Sequence, residues 1–418
     1  AGFRKQAIEE LREELSRQFT LDASSIERKP SDEETELQRL AFIERQANAA
    51  VALIRLEDTR PVYEFLTVDR DPEALSQFIY RIRGREVSPL LLINSFRELE
   101  SKAVPENSVE RRQHFYRLYG FLLGLGEFTF DQLPAQQRDI LTSELVAMYG
   151  THPSRAVHSA LGWLLRRWGQ DELVRRVDET PLDYDESGKR EWYVLKIDPP
   201  APATAESVRS MVGRLSDHTK AVPTAAKDSA NKPVIDLLAP LYFTMIVFPG
   251  GEFEMGDPEN SRRIKVTGPI AVCDQEVTWQ HFSSFDADSH RQEWERKYKK
   301  TLEAEDPAFG VNWYEAVNFC RWLTSARGLD EKSQSYIHFD FPSGLESNPG
   351  WLNLPAGTEW PMRAGRPGFR LLTDEEWEYV ARYGTGTTYS FGNSESLLAE
   401  YNWYTDNSDQ WSHRTKQL

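Results

Sequence analysis

Two cysteines are the side chains of this sequence whose chemistry would be most informative. Cys273 and Cys320 are the only cysteines in 418 residues, which excludes a disulfide scaffold and a Cys-rich zinc module. Two thiolates that meet in space can hold a soft redox metal such as copper. Cys273 ends an apolar, strand-like run and Cys320 lies among aromatic residues. We therefore predict that both are small buried hydrophobic residues and that neither is catalytic.

The histidines lack the spacing of a metal site. His114, His152 and His158 fall in a helix-rich part of the chain, where we expect surface or helix-capping positions. The sequence has no H-E-x-x-H, no C-x-x-C and no phosphate-binding loop. Its acidic residues are dispersed, so no two carboxylates can be assigned as general acid and base.

The charge balance excludes several classes of partner. The net charge is −16 and the pI is about 5.1, which disfavours a general phosphate-binding surface and direct nucleic-acid binding. No apolar run reaches 18 residues, so we expect no membrane span. The segment from Ala1 to Lys5 does not begin a signal peptide. With so few cysteines, we predict a cytoplasmic location.

The elements that must position these side chains begin with helices. Apolar residues at i, i+3, i+4 and i+7 mark one face of a helix, and the pattern recurs along residues 1–198. Proline after Asp71, Ser88 and His152 suits a first helical turn. We predict an N-terminal all-α domain, either HEAT-like helical repeats or a plain helical bundle. The apolar stripes are Leu75, Phe78, Ile79, Ile82; Phe115, Leu118, Tyr119, Leu122; and Val157, Leu161, Leu164, Trp168.

The composition changes after a predicted strand at residues 191–197. Residues 199–234 contain no aromatic residue and several prolines, which predicts a linker with one short helix at 207–215. From residue 235 onwards, turns and large aromatic residues predominate, and we predict an irregular α+β domain extending to residue 418.

Five ordered motifs in this second part resemble those of one family. They are 246–256 (IVFPGGEFEMG), 276–282 (EVTWQHF), 311–323 (VNWYEAVNFCRWL), 370–382 (RLLTDEEWEYVAR) and 389–392 (YSFG). Together they resemble the formylglycine-generating enzyme (sulfatase-modifying factor) family. The resemblance implies a C-type-lectin-like α+β fold and makes the first motif the opening hairpin of the domain.

Each motif also has a local physical interpretation. Pro249-Gly250-Gly251 is a turn sequence between apolar runs. Thr373 followed by Glu376 predicts a capping box at a helix start. On the helix that follows Thr373, we expect Trp377, Val380 and Ala381 to face the core. On the 313–323 helix, one face is expected to carry Trp313, Val317 and either Cys320 or Arg321. Phe319, Trp322 and Leu323 widen this apolar face.

The resemblance also implies what the chain lacks. Members that oxidise a sulfatase cysteine carry their reactive cysteine pair late in the domain, after segments that this sequence does not contain, so we expect only the N-terminal part of that domain. Relatives that make ergothioneine add a helical iron-binding domain with an H-x-x-x-H-x-E signature, which is also missing. Asn402 matches a position that binds structural calcium in some relatives; it is our one candidate metal ligand, and otherwise we expect no cofactor.

Two functions from different classes fit these observations. The first is a non-enzymatic regulatory protein that binds a protein partner through its helical scaffold and an inert domain. Its acidity favours a basic regulator as partner, and a peptidase is another candidate. One such setting is bacterial CRISPR-linked defence, in which a caspase-like peptidase cleaves an accessory protein that restrains a sigma factor. The alternative is a formylglycine-generating oxidoreductase whose catalytic cysteine half is missing from this chain.

Overall fold

The computed structural model describes residues 2–20, 31–67, 70–199, 235–256, 260–336, 362–363, 365–409 and 411–416. The described part of residues 2–178, here the helical region, is mainly α-helical. The helices are α1 (Gly2–Ser16), α2 (Asp32–Arg55), α3 (Arg60–Phe65), α4 (Glu73–Ile82), α5 (Pro89–Glu100), α6 (Ser108–Leu125), α7 (Ala135–Thr151), α8 (Arg155–Arg167) and α9 (Asp171–Asp178). The predicted linker beyond residue 199 and its short helix lie outside the described residues.

The apolar stripes form the core of the helical region. All four side chains of the α4 stripe are at most 7% exposed, and the stripe ending at Trp168 is equally buried. In the stripe on α6, Leu118 and Leu122 are buried, whereas Phe115 and Tyr119 are only partly buried. The 3.6-residue period thus predicts the buried face of these helices well.

The predicted helix starts are confirmed. Pro72 and Ser88 occupy the N-cap positions of α4 and α5, and α8 begins two residues after Pro153. At α2, Ser31 forms a capping box with Glu34: its hydroxyl accepts the Glu34 N–H and its own N–H donates to the carboxylate. Polar residues and proline satisfy or replace the unpaired N–H groups of a first turn.

A three-stranded antiparallel sheet connects the two ends of the predicted linker. Its strands are β1 (Trp192–Ile197), β2 (Leu241–Phe248) and β5 (Ile270–Cys273), and β2 is central. The strand predicted at 191–197 is confirmed, and it pairs with β2 along its full length, from Trp192↔Ile246 to Ile197↔Leu241. Where one domain ends and the next begins stays a prediction.

The predicted opening hairpin at 246–256 is wrong. The strand after β2, β3 (Gly251–Met255), pairs with β4 (Arg262–Val266) in a separate two-stranded sheet and does not pair with β2. The two sheets together form one long antiparallel ribbon, which bends where residues 249–250 lie opposite residues 267–269. The segment 267–269 has one residue more than the segment opposite it, and the pairing is interrupted between the two sheets.

Glycine permits the bend, because the two backbones approach each other closely there. A side-chain carbon at Gly250 would lie 2.7 Å from the backbone nitrogen of Gly268. The Pro-Gly-Gly sequence therefore changes the direction of a continuing strand instead of reversing it.

Short helices complete residues 235–416, here the second region. They are α10 (Trp279–Asp286), α11 (Ser289–Tyr298), α12 (Trp313–Ala326), α13 (Asp374–Ala381) and α14 (Leu398–Tyr401). The capping box of Thr373 and Glu376 at α13 is confirmed. With its helices and its two small sheets, the chain is α+β overall, whereas HEAT-like repeats stay a prediction.

The prediction that Trp313 and Trp377 face the core is wrong. Trp377 is 65% exposed and Trp313 is 44% exposed, although both lie in the family-like motifs. On α13 the buried residue is instead Tyr379, whose hydroxyl donates to Pro249 O at 2.7 Å. This eight-residue helix packs on the bent ribbon through its tyrosine face, and Ala381 is exposed with Trp377. Val317, Phe319, Cys320, Trp322 and Leu323 of α12 are buried as predicted.

A buried carboxylate joins the helical region to the second region. Glu73 on α4 has no exposed surface and accepts hydrogen bonds from Asn393 N at 2.8 Å, Ser394 N at 3.1 Å and Gln77 Nε2 at 2.6 Å. Gly392 adopts a φ of 130°, and a side-chain carbon there would lie 2.0 Å from Glu73 Oε2. The YSFG turn therefore places two backbone N–H groups on this carboxylate, which we name the Glu73 anchor.

None of the helices in the described ranges is both long and apolar enough to cross a bilayer.

Candidate functional site

Both cysteines lie in the wall of one cleft of the second region. The cleft has a volume of about 1,610 Å³ and lies between the three-stranded sheet, β4, α12 and the segment before α13. Its apolar wall includes Phe243, Met245 and Phe319, and basic side chains such as Lys265 and Arg327 lie at its edge. We name it the thiol cleft.

The two thiols face different neighbours in this cleft. Cys273, the last residue of β5, lies opposite Met245 of β2 and packs against the main aromatic cluster of the second region. Cys320 is buried on α12 in a smaller cluster with Val317 and Tyr336. Both are free cysteines. The prediction of two packed thiols agrees with Cys320, whereas Cys273 is only half-buried.

Both thiols are held in the protonated form. Burial raises the pKa of Cys273 to about 12, and the neighbouring Asp274 carboxylate adds to the effect. Burial also raises the pKa of Cys320 to about 12, against a smaller opposing effect of Arg370. Burial therefore disfavours the thiolate, the nucleophilic form, at both positions.

Two of the three histidines of the helical region are buried, whereas surface or helix-capping positions were predicted. His114 is 7% exposed and His158 is 1% exposed. Only His152 acts at a helix start, where its Nδ1 accepts the Ser154 N–H at 3.2 Å. Burial lowers the pKa of all three rings, to about 4 for His152 and about 3 for His158. Helical periodicity does not distinguish a buried histidine from an exposed one, so the burial of His114 and His158 could not be predicted from the sequence.

A charged histidine in the second region was not predicted. His290 on α11 lies between two carboxylates, with Nδ1 2.8 Å from Asp286 Oδ2 and Nε2 3.1 Å from Glu315 Oε1. Hydrogen bonds to Asp286 and then Glu315 raise its pKa to about 10. Both ring nitrogens are occupied, so His290 is a cationic link between α10, α11 and α12 and does not act as a base.

The candidate calcium ligand, Asn402, makes local hydrogen bonds through its backbone. The backbone carbonyl of Asn402 accepts the Asn407 side-chain amide at 2.8 Å, and its backbone N–H donates to Leu398 O. Within the described ranges, no group of three or more His, Cys, Asp or Glu side chains is arranged to hold a metal ion. Calcium at Asn402 stays a prediction.

Comparison with known proteins supports the resemblance in the second region. Residues 239–417 match the family model described as "Sulfatase-modifying factor enzyme 1-like domain". All five motifs lie within this range. A stretch of 111 residues is 31% identical to "Chaperone protein LppX" of Paenibacillus barcinonensis, over 25% of this chain and 36% of that protein. The chain therefore spans about a third of the length of this curated relative. No solved structure matches the present chain.

Proposed function

We propose that this chain acts by binding a protein partner and that its sulfatase-modifying-factor-like part does not itself oxidise cysteine. The observation that supports this is the surroundings of the two thiols, which are the only cysteines of the sequence. Cys273 packs against the main aromatic cluster of the second region, whereas Cys320 packs in a different cluster with Val317 and Tyr336. Burial also raises the pKa of both thiols and so favours their neutral form.

The helical region offers the broad surface that such a role needs. Several large apolar side chains are exposed there, including Phe3 (86%), Val109 (68%), Leu37 (60%) and Ile140 (54%). Stacked or bundled helices present such side chains on rigid elements, which favours protein binding. A net charge of −16 favours a basic partner through electrostatic steering.

The proposed class of partner suggests a biological process in which the chain acts. A cytoplasmic, basic regulator such as a sigma factor would have its nucleic-acid-binding surface masked by an acidic protein. A caspase-like peptidase of a CRISPR-linked defence system would release the regulator by cleaving this chain. The relative from Paenibacillus barcinonensis is named a chaperone, and chaperones bind other proteins, which is compatible with this proposal.

The family match favours a second candidate, a formylglycine-generating oxidoreductase. It requires a reactive cysteine pair outside the present sequence. Reading the gene beyond Leu418 for such a pair separates the two candidates.

One experiment tests the inert thiols directly. The full chain is treated with iodoacetamide at pH 8, folded and in denaturant, and labelled cysteines are located by mass spectrometry. We expect at least a hundredfold slower labelling in the folded state, because burial suppresses the thiolate.

A second experiment tests for catalysis. A sulfatase-motif peptide is incubated with the chain, copper and oxygen. Aldehyde formation that is lost in Cys320→Ser would contradict the proposal.

The partner is tested by capture from lysate of the source organism. We expect a basic protein that is released as the salt concentration rises, since screening weakens interactions between exposed charges. Recovery of the chain alone, or tight binding to DNA without any protein, would argue against the proposed partner class.

A further inference from the structure

A basic run lies on the surface of the second region. Residues 296–300 (RKYKK) hold four cations, and no other window of five residues in the sequence holds as many, although the net charge of the chain is −16. Arg296 and Lys297 lie in the last turn of α11, and Lys299 and Lys300 follow the helix. All four side chains are exposed. We name these four residues the basic patch.

The helix accounts for only part of the basic patch. Cations in the last turn of a helix are stabilised by its unpaired carbonyl groups, which explains Arg296 and Lys297. Arg296 Nε also donates to the Gln292 carbonyl at 3.2 Å. Lys299 and Lys300 lie beyond the helix, where Lys299 adopts a left-handed φ of 53°. The helix therefore gives no reason for their charge.

The neighbouring carboxylates do not neutralise the basic patch. Glu295 is buried and paired with Arg291, and Glu305 is paired with Arg414. Glu293 lies exposed on the same helix. Among the residues that the structure describes, none of the four cations of the patch forms an ion pair with a carboxylate. Their charge is therefore available to an external anion.

Three aromatic rings hold two of the lysines. Trp294 and Tyr298 are stacked with their centroids 5.2 Å apart, and Trp411 meets the Tyr298 ring edge-on at 5.4 Å. Lys297 Nζ lies 4.3 Å from the centroid of Trp294, and Lys300 Nζ lies 4.0 Å from that of Trp411. Both distances are within the range of a cation–π interaction.

The rings are themselves held in place by packing. The centroid of Phe309 lies 5.3 Å from that of Trp294 and 5.6 Å from that of Trp411. Trp294 also packs on Gly310, where a side-chain carbon would lie 2.1 Å from the indole ring. Lysines held over fixed rings lose less conformational entropy on binding than free lysines do. The basic patch is therefore preorganised for an anion.

The chemistry of the basic patch favours a short acidic peptide segment. Ammonium and guanidinium groups are donors only, so their complement is a carboxylate or another anion. Tyr298, which is 47% exposed, adds a ring of the kind that is enriched in protein interfaces. Screening limits interactions between exposed charges to about 8 Å at physiological ionic strength. A short segment therefore responds to the patch, whereas a long nucleic acid also meets the acidic remainder of the chain.

We propose that the basic patch binds a short acidic segment of another protein, with carboxylates on its lysines and an apolar side chain against Tyr298. The patch lies in the second region, apart from the helical surface that we propose for a basic partner. The two proposals rest on different residues, so either can fail without the other.

Two fluorescein-labelled peptides test the proposal with the full chain. One carries about eight Asp and Glu residues around a central phenylalanine, and the other has Asn and Gln in their place. By fluorescence anisotropy, we expect the acidic peptide to bind with a dissociation constant of about 0.1 mM. The amide peptide should bind at least tenfold more weakly. No binding of the acidic peptide, equal binding of both peptides, or tighter binding of a single-stranded oligonucleotide of the same charge would overturn the proposal.

Three double variants locate the site. Lys297→Gln with Lys300→Gln removes the charges over the rings and should weaken binding of the acidic peptide at least fivefold. Lys297→Arg with Lys300→Arg should keep the affinity, because arginine retains the charge and also stacks on aromatic rings. Arg111→Gln with Arg112→Gln changes the net charge equally at exposed positions of α6 and should leave binding unchanged. Equal losses in the two glutamine variants would show that the peptide responds to net charge alone and would contradict the proposal.

Discussion

The helical region and the second region are stabilised by different kinds of burial. The core of the helical region is mainly aliphatic and comes from long helices whose apolar stripes face one another. The core of the second region is built from tryptophan and phenylalanine rings on short elements. The second region also buries an ion-pair network of its own: Arg291 is paired with Asp288 at 2.6 Å and with Glu295 at 3.0 Å, and all three are at most 8% exposed. The buried carboxylate of the helical region, Glu73, is instead held by hydrogen bonds from Gln77 and the second region.

This difference determines what a sequence pattern can predict. A helix of several turns keeps one face toward its neighbours, so its period identifies buried residues. A helix of two turns can be rotated by a single strong contact, as the hydrogen bond from Tyr379 to Pro249 illustrates on α13. Three predictions test this comparison between the two regions.

The largest expected difference is between two tryptophans that were both predicted to be buried. Trp168 in the helical region is 4% exposed and donates to Phe128 O at 2.9 Å, whereas Trp377 in the second region is 65% exposed. We expect Trp168→Ala to lower the free energy of unfolding by about 3–5 kcal/mol and Trp377→Ala to change it by less than about 0.5 kcal/mol. Urea denaturation measures both values. Similar losses in the two variants would show that Trp377 is packed in solution.

The same contrast explains what the sequence predicted and what it did not. The apolar faces of α4, α6 and α8, the helix starts near Pro72, Ser88 and Pro153, the strand at 192–197 and the capping box at Thr373 follow from local patterns, and these were predicted. The Glu73 anchor could not be predicted, because Glu73 and Asn393 are 320 positions apart. For the same reason, the bent ribbon was interpreted as a hairpin: a Pro-Gly-Gly sequence permits both, and the pairing with residues 262–273 decides between them.

The candidate sites follow this rule as well. The sequence identified Cys273 and Cys320 as packed thiols from their apolar neighbours. It did not indicate that the two residues share one cleft. Lys300 and Trp411 are far apart in the sequence, and only the fold brings the lysine over the ring.

Two histidines, one in each region, should have opposite effects on the pH dependence of stability. The pKa of buried His158 is lowered to about 3, so below pH 6.5 the unfolded chain binds a proton that the folded chain does not. Its contribution to stability is therefore lost as the pH falls from about 6.5 toward 3. The pKa of His290 is raised to about 10, so its contribution is present below pH 6.5 and is lost as the pH rises toward 10.

Substitution separates the two effects. Each histidine contributes a slope of about 1.4 kcal/mol per pH unit within its window. We expect His158→Phe to reduce the acid slope, part of which remains because His152 and His281 also have pKa values lowered to about 4. His290→Gln should flatten only the alkaline side. An unchanged alkaline slope in His290→Gln would mean that Asp286 and Glu315 do not hold a proton on the ring.

The smallest expected effect is one that the two regions share. Ser31 at α2 and Thr373 at α13 form the same capping box, with hydroxyl acceptor distances of 3.1 Å and 3.2 Å. Replacing either residue by alanine leaves one first-turn N–H without its partner. We therefore expect a loss of about 1 kcal/mol for each variant, measured by urea denaturation.

The loss of each cap should nevertheless destabilise a different length of its helix. Arg370 Nη2 holds the Glu376 carboxylate at 2.6 Å, so the box at α13 is tied to the chain before the helix. The helix has eight residues, against 24 in α2, and therefore fewer internal hydrogen bonds to compensate. We expect Thr373→Ala to speed amide exchange throughout α13, whereas Ser31→Ala affects only the first turn of α2. If amide exchange becomes faster only in the first turn in both variants, the short helices of the second region keep their remaining hydrogen bonds as well as the long helices do. The proposed contrast between the regions would then be wrong.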